Sequence, residues 1–95
     1  MSERTIPVAV LRLGRIVATP NLLESISQDD ILFGIQRHQA GDWGALTDED
    51  RLANDRALVE GTRILSAYRA DSGTKFWIIT EADRSVTTVL LPEDY

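Results

Sequence analysis

The sequence predicts an α+β domain: an N-terminal strand and short helices, then a central helix, then a C-terminal three-stranded antiparallel meander. Two patterns carry this. Up to Gly61, hydroxyl caps and glycine stops frame stretches of helical periodicity; beyond it the residues alternate with period two in three short segments separated by turn residues. The length of 95 residues sets the domain count, because it leaves material for one core and one site.

From Val8 to Ala18 the chain is rich in aliphatic and β-branched residues, which suits a strand, with Gly14 marking a bulge or bend. Thr19-Pro20 is a helix start, a hydroxyl cap before a proline in the first turn, and it places Leu22, Leu23 and Ile26 on one side of a short helix. Ser27 to Asp30 restarts the chain. A second helix over about Asp29 to Gln39 aligns Ile31, Ile35 and His38 on one stripe, and Gly41 is placed to end it.

Gly41-Asp42-Trp43-Gly44 is a turn-rich connection in which Trp43 is expected to act as an anchor. Thr47-Asp48-Glu49-Asp50 then opens a helix with acids gathered in its first turn, and Gly61 closes it after Glu60. Ala53, Ala57 and Leu58 surround Asn54 on one face of this helix. Leu52 and Val59 lie nearly opposite, so both sides are expected to be covered.

The meander comprises Arg63 to Ala70, Lys75 to Glu81 and Ser85 to Leu91. Asp71-Ser72-Gly73-Thr74 and Ala82-Asp83-Arg84-Ser85 are its turns. Closing Ala70 on Lys75 and Ala82 on Ser85 sorts the side chains into two faces. A core face collects Leu65, Ala67, Phe76, Ile78, Val89 and Leu91 with Thr80 and Thr87. A mixed face collects Ile64, Ser66, Tyr68, Trp77, Ile79, Glu81, Val86, Thr88 and Leu90. That second face is either covered by the N-terminal elements or open for binding, and Tyr68 and Trp77 dominate its energetics in both cases.

With 43% hydrophobic and 26% charged residues the chain is a folded globular one, and no apolar run is long enough to cross a bilayer. A net charge of −5 opposes a nucleic-acid backbone, and the acidity is concentrated between Asp42 and Glu60, where six acids stand against two arginines. No cysteine is present, which excludes disulfides, thiolate metal sites and a cysteine nucleophile. The N-terminus does not read as a signal peptide, so a cytoplasmic location is expected. Neither a phosphate loop nor a dinucleotide fingerprint occurs, and no cofactor is expected.

His38, the only imidazole, is the first candidate for acid or base chemistry; the competing reading is a histidine that caps its helix or completes the core. The carboxylates lack metal-ligand spacing; Asp48, Glu49 and Asp50 form a charged first turn, and no metal site is expected. Ser66, Ser85, Thr87 and Thr88 read as strand residues, not nucleophiles. Arg63, Arg69, Lys75 and Arg84 flank the meander, where they could gather as a phosphate patch or sit as ordinary strand-end charges.

Three segments carry a family resemblance: Gly41-Asp42-Trp43-Gly44, Arg63-Ile64-Leu65-Ser66-Ala67-Tyr68, and the run from Trp77 to Pro92 that begins Trp-Ile-Ile-Thr-Glu. Over about residues 14 to 95 the chain resembles a family of small bacterial proteins of uncharacterised function associated with plasmids and other mobile elements. It is also similar, at the level of fold, to RelE-like and barnase-like ribonuclease toxins. That likeness implies His38 and Glu81 as acid and base, Arg63 and Arg84 as phosphate ligands, and Tyr68 or Trp77 as a stacking platform.

The functional expectation is a non-enzymatic accessory protein that binds another macromolecule, a protein, through Tyr68, Trp77, Trp43 and Arg63 or through the acidic segment. The alternative is a ribonuclease or toxin-like enzyme built on His38, Glu81 and Arg84. A homodimer formed on the uncapped edge of the meander is a third possibility.

Overall fold

The structure, a computed structural model, describes residues 9–95; Val8 and the N-terminal segment read for targeting lie outside the described residues. In chain order the elements are β1 (Arg15–Ala18), α1 (Pro20–Ser25), α2 (Gln28–Gln39), α3 (Asp48–Glu60), β2 (Ile64–Arg69), β3 (Lys75–Thr80) and β4 (Val86–Leu90), then a 3₁₀ turn over Pro92–Asp94. This is the expected α+β class. The strands form one sheet in the order β1-β4-β3-β2, in which β2, β3 and β4 are the antiparallel meander and β1 lies parallel to β4.

The helix starts follow the caps. The hydroxyls of Thr19, Ser27 and Thr47 accept from the amides of Leu22, Asp30 and Asp50, which satisfies donors that have no partner inside the helix. Gly61 ends α3 in the left-handed conformation. The N-terminal strand is shorter than the composition suggested. Leu11 and Leu13 are buried in irregular chain, and regular pairing begins only at Arg15. Gly14 explains the break: its φ is +63°, and a Cβ there would lie 2.4 Å from the carbonyl oxygens of Arg84 and Ser85. The glycine therefore lets β1 enter beside the β3–β4 turn, where the amide of Arg15 donates to Ser85.

The second hairpin takes the expected register, with Trp77 opposite Leu90 and Thr80 opposite Thr87. The first does not. Arg69, not Ala70, faces Lys75, because Thr74 joins the pairing and the loop shrinks to Asp71, Ser72 and Gly73, with Gly73 at φ +91°. A three-residue loop with glycine in the left-handed position is a standard hairpin solution. The one-residue slip moves every β2 side chain to the other face. Ile64, Ser66 and Tyr68 point inward with Phe76, Ile78, Thr80, Thr87 and Val89; Leu65, Ala67 and Arg69 point outward with Lys75, Trp77, Ile79, Thr88 and Leu90. Tyr68 and Trp77 therefore lie on opposite faces, and the shared aromatic surface expected from the sequence does not exist.

Helices α1 and α2 cover the inner face. Leu22, Ile26 and Ile31 pack with Tyr68, Phe76, Ile78 and Val89, and α2 comes close because Gly34 sits directly on the Phe76 ring. Leu23 departs from the expected stripe and is exposed. A second cluster joins Leu11, Leu13, Trp43, Ala57 and Ile64, and Ile35 packs against both. Helix α3 lines the free edge of β2. The Asn54 amide donates to the carbonyl of Leu65 at 2.8 Å and accepts its N–H at 3.4 Å, replacing a strand partner. The opposite face of α3 is not covered: Leu52 and Val59 are exposed.

These contacts cover both edges of the meander itself. Strand β1 occupies the β4 edge. The β2 edge is taken by Asn54 and by residues 43–45, whose backbone pairs with Ala67. Among the described residues, the one unpaired edge belongs to the four-residue β1.

Candidate functional site

His38 projects from the last turn of α2 onto the inner face of the sheet and is fully buried. Its Nδ1 lies 2.5 Å from Ser66 Oγ and its Nε2 lies 2.8 Å from Thr80 Oγ1; Thr80 is 2.7 Å from Thr87 Oγ1, and Thr87 donates to the carbonyl of Leu13 at 2.7 Å. The chain of bonds has one consistent direction. Thr87 spends its proton on Leu13, so Thr80 donates to Thr87, His38 Nε2–H donates to Thr80, and Ser66 donates to Nδ1. The imidazole is thereby held neutral in a single tautomer with both nitrogens occupied.

Burial lowers the His38 pKa from 6.5 to about 4, and the nearby Arg84 cation adds to the effect. The unfolded chain therefore takes up a proton near pH 6.5 that the folded chain resists until about pH 4. Stability linked to this group is complete above pH 6.5 and is expected to fall by about 3 kcal/mol as the pH drops to 4. Urea unfolding measured at intervals across that window checks the slope; a flat profile would show that the imidazole is not protected.

The residues named for catalysis do not assemble. His38 is sealed beneath the sheet. Glu81 follows β3 on the outer side, with Oε1 3.6 Å from Arg63 Nε. Arg84, at φ +61°, donates to the carbonyls of Thr62, Ala57 and Glu81, so its charge ties down the end of α3. Nor do the four basic residues of the meander form one patch. Arg63 and Arg84 sit at one end of the strands, Arg69 and Lys75 at the other.

Two of the residues named for binding are structural. Trp43 is buried, donates from Nε1 to Asp55 at 2.9 Å and meets the His38 ring edge-on. Tyr68 is also buried; its hydroxyl donates to the carbonyl of Asp42 at 2.6 Å, and burial raises its pKa. Asp42 in turn pairs with Arg37 and accepts from the amide of Gly44. The Gly-Asp-Trp-Gly segment is thus a latch that fastens α2 and β2 together.

Trp77 and Arg63 are the named binding residues that remain accessible. They lie on the outer sheet face, where Ile79 and Leu90 are buried and the 3₁₀ turn over Pro92–Asp94 comes up to β3. Tyr95 packs edge-on against Trp77 and its hydroxyl accepts from Arg63 at 2.8 Å. Beside the indole is a cavity of about 380 Å3 lined by Ala45, Ala67, Tyr68, Trp77 and Pro92, with Arg69 and Lys75 at the hairpin end. Sequence reasoning missed Ala45 and Pro92 as site residues, and named Arg69 and Lys75 only as half of a possible four-residue phosphate patch. The signal was present in the alternation Leu65, Ala67, Arg69, hidden by the register slip.

Among the described residues no cluster of His, Asp and Glu could hold a metal ion, and no helix is long and apolar enough to cross a membrane. In comparisons with family models, with curated proteins and with solved structures, the chain matches none. The fold and the site define a small α+β domain with a mixed four-stranded sheet, one helix-covered face and one face bearing an aromatic cleft.

Proposed function

We propose that the protein is a non-enzymatic accessory module that binds another protein through the outer face of its sheet, centred on Trp77. The single observation that carries this reading is the half-buried indole beside an open cavity on the outer sheet face, in a fold whose imidazole is fully engaged in the core. Half-exposed tryptophans are favoured anchors because they combine a large apolar area with few rotatable bonds. Leu65, Ala67 and Thr88 supply the partly accessible surround, and Arg63 with Glu81 supplies a polar rim. In the nuclease alternative His38 and Glu81 would act as a pair, but His38 is fully buried and only Glu81, beside Arg63, reaches solvent. A cytoplasmic setting belongs to the same proposal.

The test compares wild-type bait with Ala67→Glu, which fills the cleft, and with Phe33→Asp, which alters an exposed residue of α2. A bound partner should survive Phe33→Asp and be lost with Ala67→Glu. Binding indifferent to Ala67→Glu would overturn the reading. Total RNA incubated with the protein should stay intact; cleavage that copurifies with the folded chain would replace the binding module with a nuclease.

A further inference from the structure

We infer that the cleft beside Trp77 takes an acidic peptide segment of the partner, which places an Asp or Glu carboxylate between Arg69 and Lys75 and an apolar side chain against Trp77 and Ala67. This rests on the reading of the outer face as an interaction surface and specifies the chemistry of its occupant.

The argument begins with a cost. Arg69 and Lys75 stand directly opposite each other across the β2–β3 hairpin, both on the outer face and both exposed. Like charges in directly opposed positions destabilise an antiparallel pair. Among the described residues neither has a carboxylate within 4.0 Å, whereas Arg37, Arg51 and Arg63 each have one. Among the described residues the one side-chain hydrogen bond from Arg69 is a long one, 3.5 Å, to the carbonyl of Gly73. At the other end of the same ladder the equivalent positions are the complementary pair Arg63 and Glu81. The sheet thus neutralises one end of its outer face and leaves the end beside the cavity cationic.

The cavity continues from these cations to an apolar floor. Ala67 opposite Trp77 leaves the flank of the indole uncovered, and Ala45 and Pro92 complete the walls. The backbone of Ala67 is already bonded to residues 43–45, so an incoming segment cannot add as a strand there and is recognised by its side chains. The overall charge of −5 selects for a short anion. At physiological ionic strength fields fade over about 8 Å, so one or two carboxylates at the cleft feel Arg69 and Lys75, while an extended polyphosphate is repelled by the rest of the surface.

The probe is a phage-displayed library of random dodecapeptides panned on the immobilised 95-residue chain. Selected peptides are expected to carry Asp or Glu next to an aromatic or aliphatic residue, and a synthetic peptide of the selected sequence should bind about tenfold more weakly once salt is raised from about 0.05 to 0.3 M. Lys75→Glu gives Arg69 a neighbouring carboxylate, so this variant should melt at a higher temperature than wild type while losing the peptide by tenfold or more. That opposite movement of stability and binding separates a ligand site from a structural role. Selection of neutral or basic peptides, no selection at all, or affinity unchanged by Lys75→Glu would each overturn the acidic occupant. Neutral peptides still lost with Ala67→Glu would leave the outer face standing as the interaction surface; peptides indifferent to Ala67→Glu would remove both. Tighter binding of single-stranded oligouridylate than of any selected peptide would also overturn it.

Discussion

His38→Ala is expected to lower the unfolding free energy by about 4 kcal/mol, a large share of the roughly 5–14 kcal/mol that a domain of 95 residues holds in total. Two losses add. Truncation opens a cavity between α2 and the sheet at a fully buried position, and it removes the partner of two buried hydroxyls at once. Thr80 loses its donor, and the Ser66 proton loses its acceptor, both at fully buried positions. The imidazole also ties α2 to the sheet, since Ser66 is in β2 and Thr80 in β3, and Thr80 passes the chain of bonds on to Thr87 in β4. In urea the midpoint should fall with little change in slope. Phe33→Ala, at an exposed position, should cost less than about 1 kcal/mol. The variant should further lose the decline in stability between pH 6.5 and 4, because the group that resists protonation is gone. A drop of under 1 kcal/mol would show that the hydroxyl chain closes without its histidine.

The helices were legible because their signals are local. Thr19-Pro20, Ser27, Thr47 and Gly61 act within a turn of themselves, and each marks the boundary the structure displays. The second hairpin was legible for the same reason. The first was not, because hydropathy does not distinguish its two registers: one face of β2 offers Ile64, Ser66 and Tyr68, the other Leu65, Ala67 and Arg69. Ser66 looks like a surface residue and is fully buried. Its burial depends on His38, 28 positions earlier, which supplies the acceptor that makes an interior hydroxyl tolerable. Likewise β1 pairs with β4 across most of the chain, a contact that no periodicity within either strand encodes. The candidate site inherited the error of the hairpin. Trp77 was correctly outward, but it was grouped with Tyr68 when its neighbours are Ala67, Arg69 and Lys75.

Gly44→Ala is expected to be as damaging as the loss of His38, about 4 kcal/mol, although it adds a single methyl group. At φ +76° the new residue would adopt a left-handed conformation, which costs about 1 kcal/mol or more for a residue with a Cβ. The larger part is steric. The added Cβ would lie 2.0 Å from the carbonyl oxygen of Ala67 and 2.7 Å from the Tyr68 ring, and neither can yield, one being backbone within the sheet and the other buried. The segment must therefore retreat from β2. Retreat breaks the bonds from Ala45 N–H to Ala67 and from Ala67 N–H to Trp43, each worth about 1 kcal/mol, and draws the Trp43 ring away from His38, Ala57 and Ile64. Gly61→Ala separates the two contributions. Its φ of +74° is nearly the same, but nothing lies within 4 Å of the added Cβ, so it should cost only the conformational part, about 1 kcal/mol. Thermal melts of the two variants beside wild type make the comparison. Equal destabilisation would mean that the approach of residues 43–45 to β2 contributes nothing, and the latch that seats Trp43 against His38 would have to be abandoned.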